Sequence, residues 1–264
     1  MEFQLAGKSA LVTGSTSGIG MSIAHLLASR GCSVVITGVT TLEDGQKQVE
    51  LFSRKYTGQF HFVEGDFSKT EEVEKLGQNV LALYKDGIDI LVNSAGVPGR
   101  SPIEEMTTEH WQLTMAINLT APFLLTRTFL PAMKKKGWGR IINMSSAMAL
   151  VAGYGKVAYC SSKAGLLGLT RVTALEGAPY GVTCNAICAS FTDAPMCHSI
   201  IAKEAKELGV SFEERKETFA KENLPVGHLI PKVELAEIVG FLCSSNTSCL
   251  TGQPITIDGG FLNR

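Results

Sequence analysis

Short apolar runs rich in β-branched residues alternate along the chain with longer stretches whose apolar positions recur at helical spacing. Seven runs read as strands: SALVT (9–13), SVVIT (33–37), FHFVE (60–64), IDILVN (88–93), RIINMSS (140–146), VTCNAI (182–187) and PITIDGG (254–260). Between them the spacing predicts helices near 18–30, 43–56, 70–85, 108–136, 157–178 and 234–244, and a charged helical stretch over 195–223. This alternation suits a parallel sheet, because parallel neighbours need a crossover long enough to hold a helix. The expected fold is α/β, a single domain over 1–264 with a doubly wound parallel sheet of about seven strands and helices on both faces. Nothing in the chain reads as a linker, a low-complexity tract or an internal repeat.

Composition agrees with that picture and narrows the partners. A chain of 264 residues with 45% hydrophobic content can bury a substantial core. A formal net charge of -1 supplies no electrostatic reason to expect nucleic acid or an anionic membrane, which leaves small molecules and protein surfaces. The N-terminus has no basic stretch followed by a long apolar run, and no uninterrupted apolar segment approaches membrane-spanning length. The cysteines at 32, 160, 184, 188, 197, 243 and 249 are odd in number and lack C-x-x-C spacing, so a disulfide framework or structural zinc is not expected. The histidines at 25, 61, 110, 198 and 228 are scattered without metal-ligand spacing, so no metal is expected. A soluble protein of the cytoplasm fits these features.

Candidate chemistry clusters where strands end. TGSTSGIG (13–20) joins the first strand to the first helix, where glycines allow a tight turn and the helix N-terminus offers free N–H groups to a phosphate. A plain tight turn would share this pattern; its place between strand and helix favours a dinucleotide, with Gly14, Thr16, Ser17, Gly18, Ile19 and Gly20 as candidate contacts. At the end of the second strand Gly38 and Val39 are uncharged, and neither the glycine turn nor the stretch between Arg30 and Lys47 carries a base for a 2′-phosphate, so NAD is expected over NADP. Asp66, followed by Phe67, is placed to reach an adenine or to act as a simple turn acid. Asn93, Ser94, Ala95 and Gly96 form a turn of small residues against which a cofactor could lie.

Tyr159 and Lys163 stand at i and i+4 on a predicted helix and share a face. A neighbouring ammonium, helped by a cationic nicotinamide ring, is expected to lower the phenol's pKa, and Ser146, at the end of the fifth run, is placed to hydrogen-bond a reacting oxygen. The competing reading is a core tyrosine, a solvated lysine and a strand-capping serine.

Taken together, TGSTSGIG, NSAG, the Asn118 of MAINL, Ser146, Tyr159 and Lys163 resemble the short-chain dehydrogenase/reductase family, from about Lys8 to Gly260. That resemblance implies a Rossmann-type fold and a nicotinamide cofactor. It implies that Tyr159 is the acid/base, Ser146 positions the reacting oxygen, Lys163 holds the nicotinamide ribose, and Asn118 supports a water-mediated proton relay. Within the family, MKKKGWGRIIN, VTALE, NAIC and IDGGFLNR are most similar to the bacterial D-3-hydroxybutyrate dehydrogenases, which implies a helical substrate lid over about 190–224 and places Lys156 against a substrate carboxylate. Those enzymes have glutamine where this chain has Pro98, histidine at Met148, a second glutamine around Ile200 and tryptophan at Phe261. The substitutions imply a longer or less polar alcohol or ketone. His198, within the expected lid, is a further substrate-contact candidate. Ala189-Ser190 and Ala194 stand where Pro-Gly and threonine are usual, so the nicotinamide end is expected to differ. The resemblance also implies a homotetramer. Three functions are carried forward: an NAD-dependent dehydrogenase, a 3-oxoacyl or other ketone reductase, and a binding protein that keeps the fold without turnover.

Overall fold

The computed structural model describes residues 5–263. Seven strands, β1 (Ser9–Val12), β2 (Ser33–Ile36), β3 (Phe60–Phe62), β4 (Ile90–Asn93), β5 (Gly139–Met144), β6 (Val182–Ala189) and β7 (Pro254–Ile257), form one sheet in the order β3-β2-β1-β4-β5-β6-β7. Every pairing is parallel. Side chains alternate across the sheet: Ala10, Val12, Val34, Ile36, Ile90 and Val92 enter one core, and Leu11, Val35 and Leu91 enter the other. Both faces are covered, which is why these strands read as continuous apolar runs rather than as alternating ones. Helices α1 (Gly18–Ser29) and α9 (Lys232–Leu242) pack together over the first core, while α3 (Thr70–Leu83) and α5 (Ala121–Lys136) cover the second. The chain winds outward from β1 to β3 and then returns to β4, so a crevice opens beyond the carboxyl ends of β1 and β4.

The expected helix over 108–136 is one helical run with a change of pitch: α4 (Thr108–Met115), a π turn (Ala116–Thr120) and then α5. By length and composition this run could cross a bilayer, contrary to the sequence expectation, but half of its apolar window is buried inside the protein. Leu124, Leu125, Phe129, Leu130 and Met133 face the core, so α5 is a core helix. At its basic end, Lys136 donates to the carbonyls of Gly87 and Ile88 and pairs with Asp89 at 2.8 Å, which clamps the helix end to the segment before β4.

The charged stretch over 195–223 divides at Gly209 (φ 70°) into α7 (Pro195–Leu208) and α8 (Phe212–Asn223). A left-handed residue ends a helix readily only as glycine, and Ser211 caps the next one by accepting from the Glu214 N–H. This pair has its own small core of Cys197, Ile201, Phe219, Ala220, Leu224 and Leu229, with Phe191, Ile200 and Phe261 packed against it. Strand ends also moved: β3 stops at Phe62, β4 starts at Ile90, β5 stops at Met144, β6 continues to Ala189, and β7 stops at Ile257. The apolar pattern runs past the hydrogen-bonded ladder at most of these ends, since residues entering a turn can remain buried.

Candidate active site

A cleft of about 370 Å³ occupies the crevice and is lined by Gly14, Thr16, Ser17, Gly18, Ile19, Gly20, Asp66, Phe67, Ala95 and Gly96, ten of the positions expected to contact a cofactor. Its floor is backbone. The Thr13 hydroxyl accepts from the Ser94 and Ala95 N–H groups, each at 2.9 Å, and so ties the small-residue turn to the glycine turn. Gly14 (φ 64°) lies so close to Ala95 that a Cβ would sit 3.0 Å from its Cα, and a Cβ at Gly20 would run into the Gly14 carbonyl. Ser17, which precedes α1, makes no side-chain cap bond, so the first N–H groups of the helix are not taken up by a cap from its own chain. Such a cradle fits the pyrophosphate of a dinucleotide. A groove of similar size beside β3, lined by Gln46, Phe60, His61 and Leu83 among others, contains none of the expected site residues.

Two candidates behave differently from the rest. Asp66 lines the cleft but also accepts from Ser68 N–H at 3.0 Å and Ser68 Oγ at 2.6 Å, and these bonds hold its carboxyl below the usual range. It is both a turn acid and a wall of the cleft. Asn93 is not on the cleft wall; its carboxamide is buried and donates to Asn143 at 2.8 Å.

Tyr159 and Lys163 lie on α6 (Val157–Gly177) on a shared face, with the Lys163 Nζ 5.8 Å from the phenol ring centroid. Ser146 lies beyond the end of β5 and heads a 3-10 turn (Ala147–Ala149), where its Oγ accepts from Met148 N–H at 3.1 Å and is also within hydrogen-bonding reach of the phenol. Lys163 is buried and donates to the Met144 carbonyl at 2.7 Å. Burial pushes its pKa down to about 8. The expected acidification of Tyr159 is absent from this arrangement: burial raises the phenol's pKa, and the Ser146 hydrogen bond only partly opposes it. Asn118, in the π turn, accepts from Val97 N–H at 2.9 Å and donates to Val97 O and Ser162 Oγ, each at 3.1 Å. Its carboxamide therefore fixes the loop beside the cleft. A Cβ on Gly96 would lie 3.3 Å from Asn118 Oδ1 and 3.5 Å from Lys163 Nζ, so that loop passes close to both polar groups.

On the far side of Tyr159 the walls become apolar. Met148 and Lys156 both border Gly153, whose Cβ position would be 3.2 Å from the sulfur and 3.0 Å from the lysine Cδ. The Lys156 ammonium sits 5.8 Å from the centroid of Phe191, whose edge-to-face partners are Phe219 at 4.9 Å and Phe261 at 5.8 Å. Ile200 joins the same cluster. Burial lowers the Lys156 pKa, and after the opposing Cys160 the Arg100 guanidinium lowers it further. His198 is committed elsewhere, with Nε2 2.5 Å from Asp193, which also binds Lys216 at 3.1 Å. The sequence reading missed Phe191, Thr13, Ser162 and the approach of Pro195, whose Cδ lies 3.3 Å from a Cβ position on Gly18. Thr13 had a visible signal, as the residue that starts the glycine motif; Phe191 and Ser162 had none.

The description "short chain dehydrogenase" matches residues 8–205, and the chain belongs to that family of oxidoreductases. It is 38% identical over 258 residues to the D-beta-hydroxybutyrate dehydrogenase of Cupriavidus necator, covering 98% of this chain and 99% of that protein. It is 39% identical over 260 residues to the 3-oxoacyl-(acyl-carrier-protein) reductase of Aquifex aeolicus, covering 98% and 99%. Among solved structures, the L-sorbose reductase of Gluconobacter frateurii, complexed with NADPH and L-sorbose, superimposes with a TM-score of 0.95 at 27% identity over 100% of both chains. A variant of the actinorhodin polyketide ketoreductase with NADPH gives 0.89 at 31% identity, again over 100% of both. A nicotinamide cofactor accords with the fold and with the cleft.

Proposed function

We propose that this oxidoreductase is an NAD-dependent dehydrogenase of a secondary alcohol that carries a carboxylate, similar to 3-hydroxybutyrate dehydrogenase but with a less polar pocket. The observation that carries the reading is the meeting of Ser146, Tyr159 and Lys163 at the end of β5, beside a backbone cradle built for a dinucleotide. When bound, the nicotinamide supplies or accepts the hydride. In ketone reduction the neutral Tyr159 phenol gives its proton to the substrate oxygen, and in alcohol oxidation it takes one. Ser146 holds that oxygen by hydrogen bonding. Lys163 and the Tyr159 phenol would hold the nicotinamide ribose, and Asn118 keeps the Val97 loop in place. Gly14, Thr16, Ser17, Gly18, Ile19, Gly20, Ala95 and Gly96 would cradle the rest of the dinucleotide, with Asp66 and Phe67 toward the adenine. Lys156 binds the substrate carboxylate, Met148, Ile200 and Phe261 bound its carbon chain, and α7 with α8 closes over it as a lid.

Charge at the adenosine end supports NAD. A Cβ on Gly38 would lie 2.7 Å from Thr16 Oγ1, so a side chain there is crowded out, and Val39 beside it is exposed and neutral. The nearest helix start carries Glu43 and Asp44, and both engage Lys47, at 2.8 and 3.1 Å. A 2′-phosphate would meet acids there rather than a free base. A homotetramer belongs to the same reading and is supported by Val172 and Leu175, exposed on α6. Free thiols, several of them fully buried, suit the cytoplasm as its compartment.

The apolar walls at Met148, Ile200 and Phe261, together with the Aquifex relative, favour 3-oxoacyl or other ketone reduction as the second reading. Initial rates on 3-hydroxybutyrate and longer 3-hydroxy acids with NAD, set beside 3-oxoacyl thioesters with NADPH, separate the two. Faster NADPH-linked reduction of the thioesters would overturn the first.

A further inference from the structure

Lys156 is a half-buried ammonium, and Arg100 stands beside Ser101, which is bridged to it. Burial disfavours its charge, Cys160 opposes that effect, and Arg100 disfavours the charge again. Backbone contacts hold the two together. Ser101 N–H donates to the Gly155 carbonyl at 2.7 Å, Ser101 and Lys156 form a parallel bridge, and Arg100 Cγ lies 3.6 Å from the Cβ position of Gly155. Arg100 is exposed, and among the described residues it has no acidic partner.

A second cation on the adjoining segment disfavours the charge of a half-buried ammonium, which also loses hydration. The surrounding walls offset little of this: the Phe191 ring, 5.8 Å from the ammonium, offers a cation–π contact, but Met148, Ile200 and Phe261 offer no charged acceptor, and the exposed Leu150, Val151 and Tyr154 are largely apolar. An anion from outside the chain relieves both charges at once. Arginine presents a planar fork that matches carboxylate or phosphate oxygens in pairs, and lysine adds a point charge.

We propose that Arg100 and Lys156 form a two-cation clamp, and that the substrate presents to it two anionic groups, either two carboxylates or a carboxylate with a phosphate-like group. This deepens, and rests on, the reading of the site as one for an anionic alcohol or ketone. Arg100 is then a specificity residue: it supplies the polar recognition that Pro98, Met148 and Ile200 cannot.

The test uses ligands that are not turned over. Butyrate, glutarate and 3-phosphonopropionate are titrated calorimetrically into the purified protein in the presence of NAD. Glutarate or 3-phosphonopropionate is expected to bind about tenfold or more tightly than butyrate, a difference of about 1.4 kcal/mol. The tighter of the two identifies the second group as carboxylate or phosphate-like. Arg100→Ala is expected to erase this preference and Arg100→Lys to restore part of it, with NAD affinity as the check on folding. Added salt is expected to weaken the doubly charged ligands more than butyrate. Equal affinity for all three ligands, or an Arg100→Ala variant that weakens all three alike, overturns the clamp. Arg100-dependent glutarate binding with no turnover of any alcohol retains the clamp and rejects the dehydrogenase reading. Turnover of 3-hydroxybutyrate without a preference for the doubly charged ligands rejects the clamp alone.

Discussion

The two halves of the proposed site are built from different materials. The cofactor half is backbone: glycines without room for a Cβ, a helix start without a side-chain cap, and a threonine hydroxyl that satisfies two N–H groups at once. The proposed substrate half is made of side chains that come from three distant segments, around Met148 and Lys156, Phe191 and Ile200, and Phe261. A backbone cradle restricts which residues can stand at each position, so it leaves a readable spacing. A side-chain pocket needs only shape and polarity, which many residues can supply, and so it can change its substrate while the cradle stays the same.

The sharpest way to break this comparison is at the junction between the halves. Tyr159→Phe is expected to lower kcat by about 10²- to 10⁴-fold while NAD affinity, measured by calorimetry, moves by no more than about threefold. Equal losses in both would make Tyr159 part of the cradle instead of its acid/base.

Lys163 comes next. Its pKa, about 8 when folded, lies below the usual lysine value of 10.5, so folding disfavours the charged form. The penalty is complete below pH 8 and is relieved as pH rises from about 8 to 10.5, because the unfolded chain holds the extra proton over that window. In the cofactor-free protein, the unfolding free energy of the wild type minus that of Lys163→Met is expected to rise by roughly 3 kcal/mol across this range. Denaturant titrations at several pH values measure it, and a constant difference would mean that Lys163 is well hydrated and keeps its usual lysine pKa when folded.

Thr13→Val removes the acceptor shared by Ser94 and Ala95. Stability is expected to fall by about 1–3 kcal/mol and NAD affinity to weaken with it, whereas the KM for the alcohol at saturating NAD changes little. The smallest effect is expected from Ile200→Gln in the substrate half: a KM for 3-hydroxybutyrate lower by a few-fold, from about 0.5–1.5 kcal/mol of added hydrogen bonding, with kcat and NAD affinity nearly constant. A larger shift in NAD affinity than in KM would erase the division between the halves.

Much of the fold was legible because burial on both faces writes β-branched runs at regular intervals, and each strand appeared where its run stands. The π turn at Ala116–Thr120 was not legible, since one extra residue per turn hardly alters an apolar period. The break at Gly209 was written as a single glycine inside a charged helical stretch, where glycine is often tolerated. In the site, most cleft residues were named from spacing, but Asn93 was placed on the wall when its side chain satisfies Asn143, and His198 was offered to substrate when it satisfies Asp193. Polar side chains near a site turn toward whichever partner is nearest, and those partners lie 50 and 5 residues away in the chain.

By itself the sequence determined the parallel sheet, the dinucleotide turn and the Tyr159–Lys163 pair, because each depends on contacts within one strand, one turn or one helical step. Only the tertiary structure decided the direction in which that pair's pKa values move and the character of the pocket. Burial raises the phenol's pKa and lowers that of the ammonium, and burial is a property of everything packed around a group. The apolar cluster at Phe191 and the proximity of Arg100 to Lys156 likewise arise only when distant segments fold together.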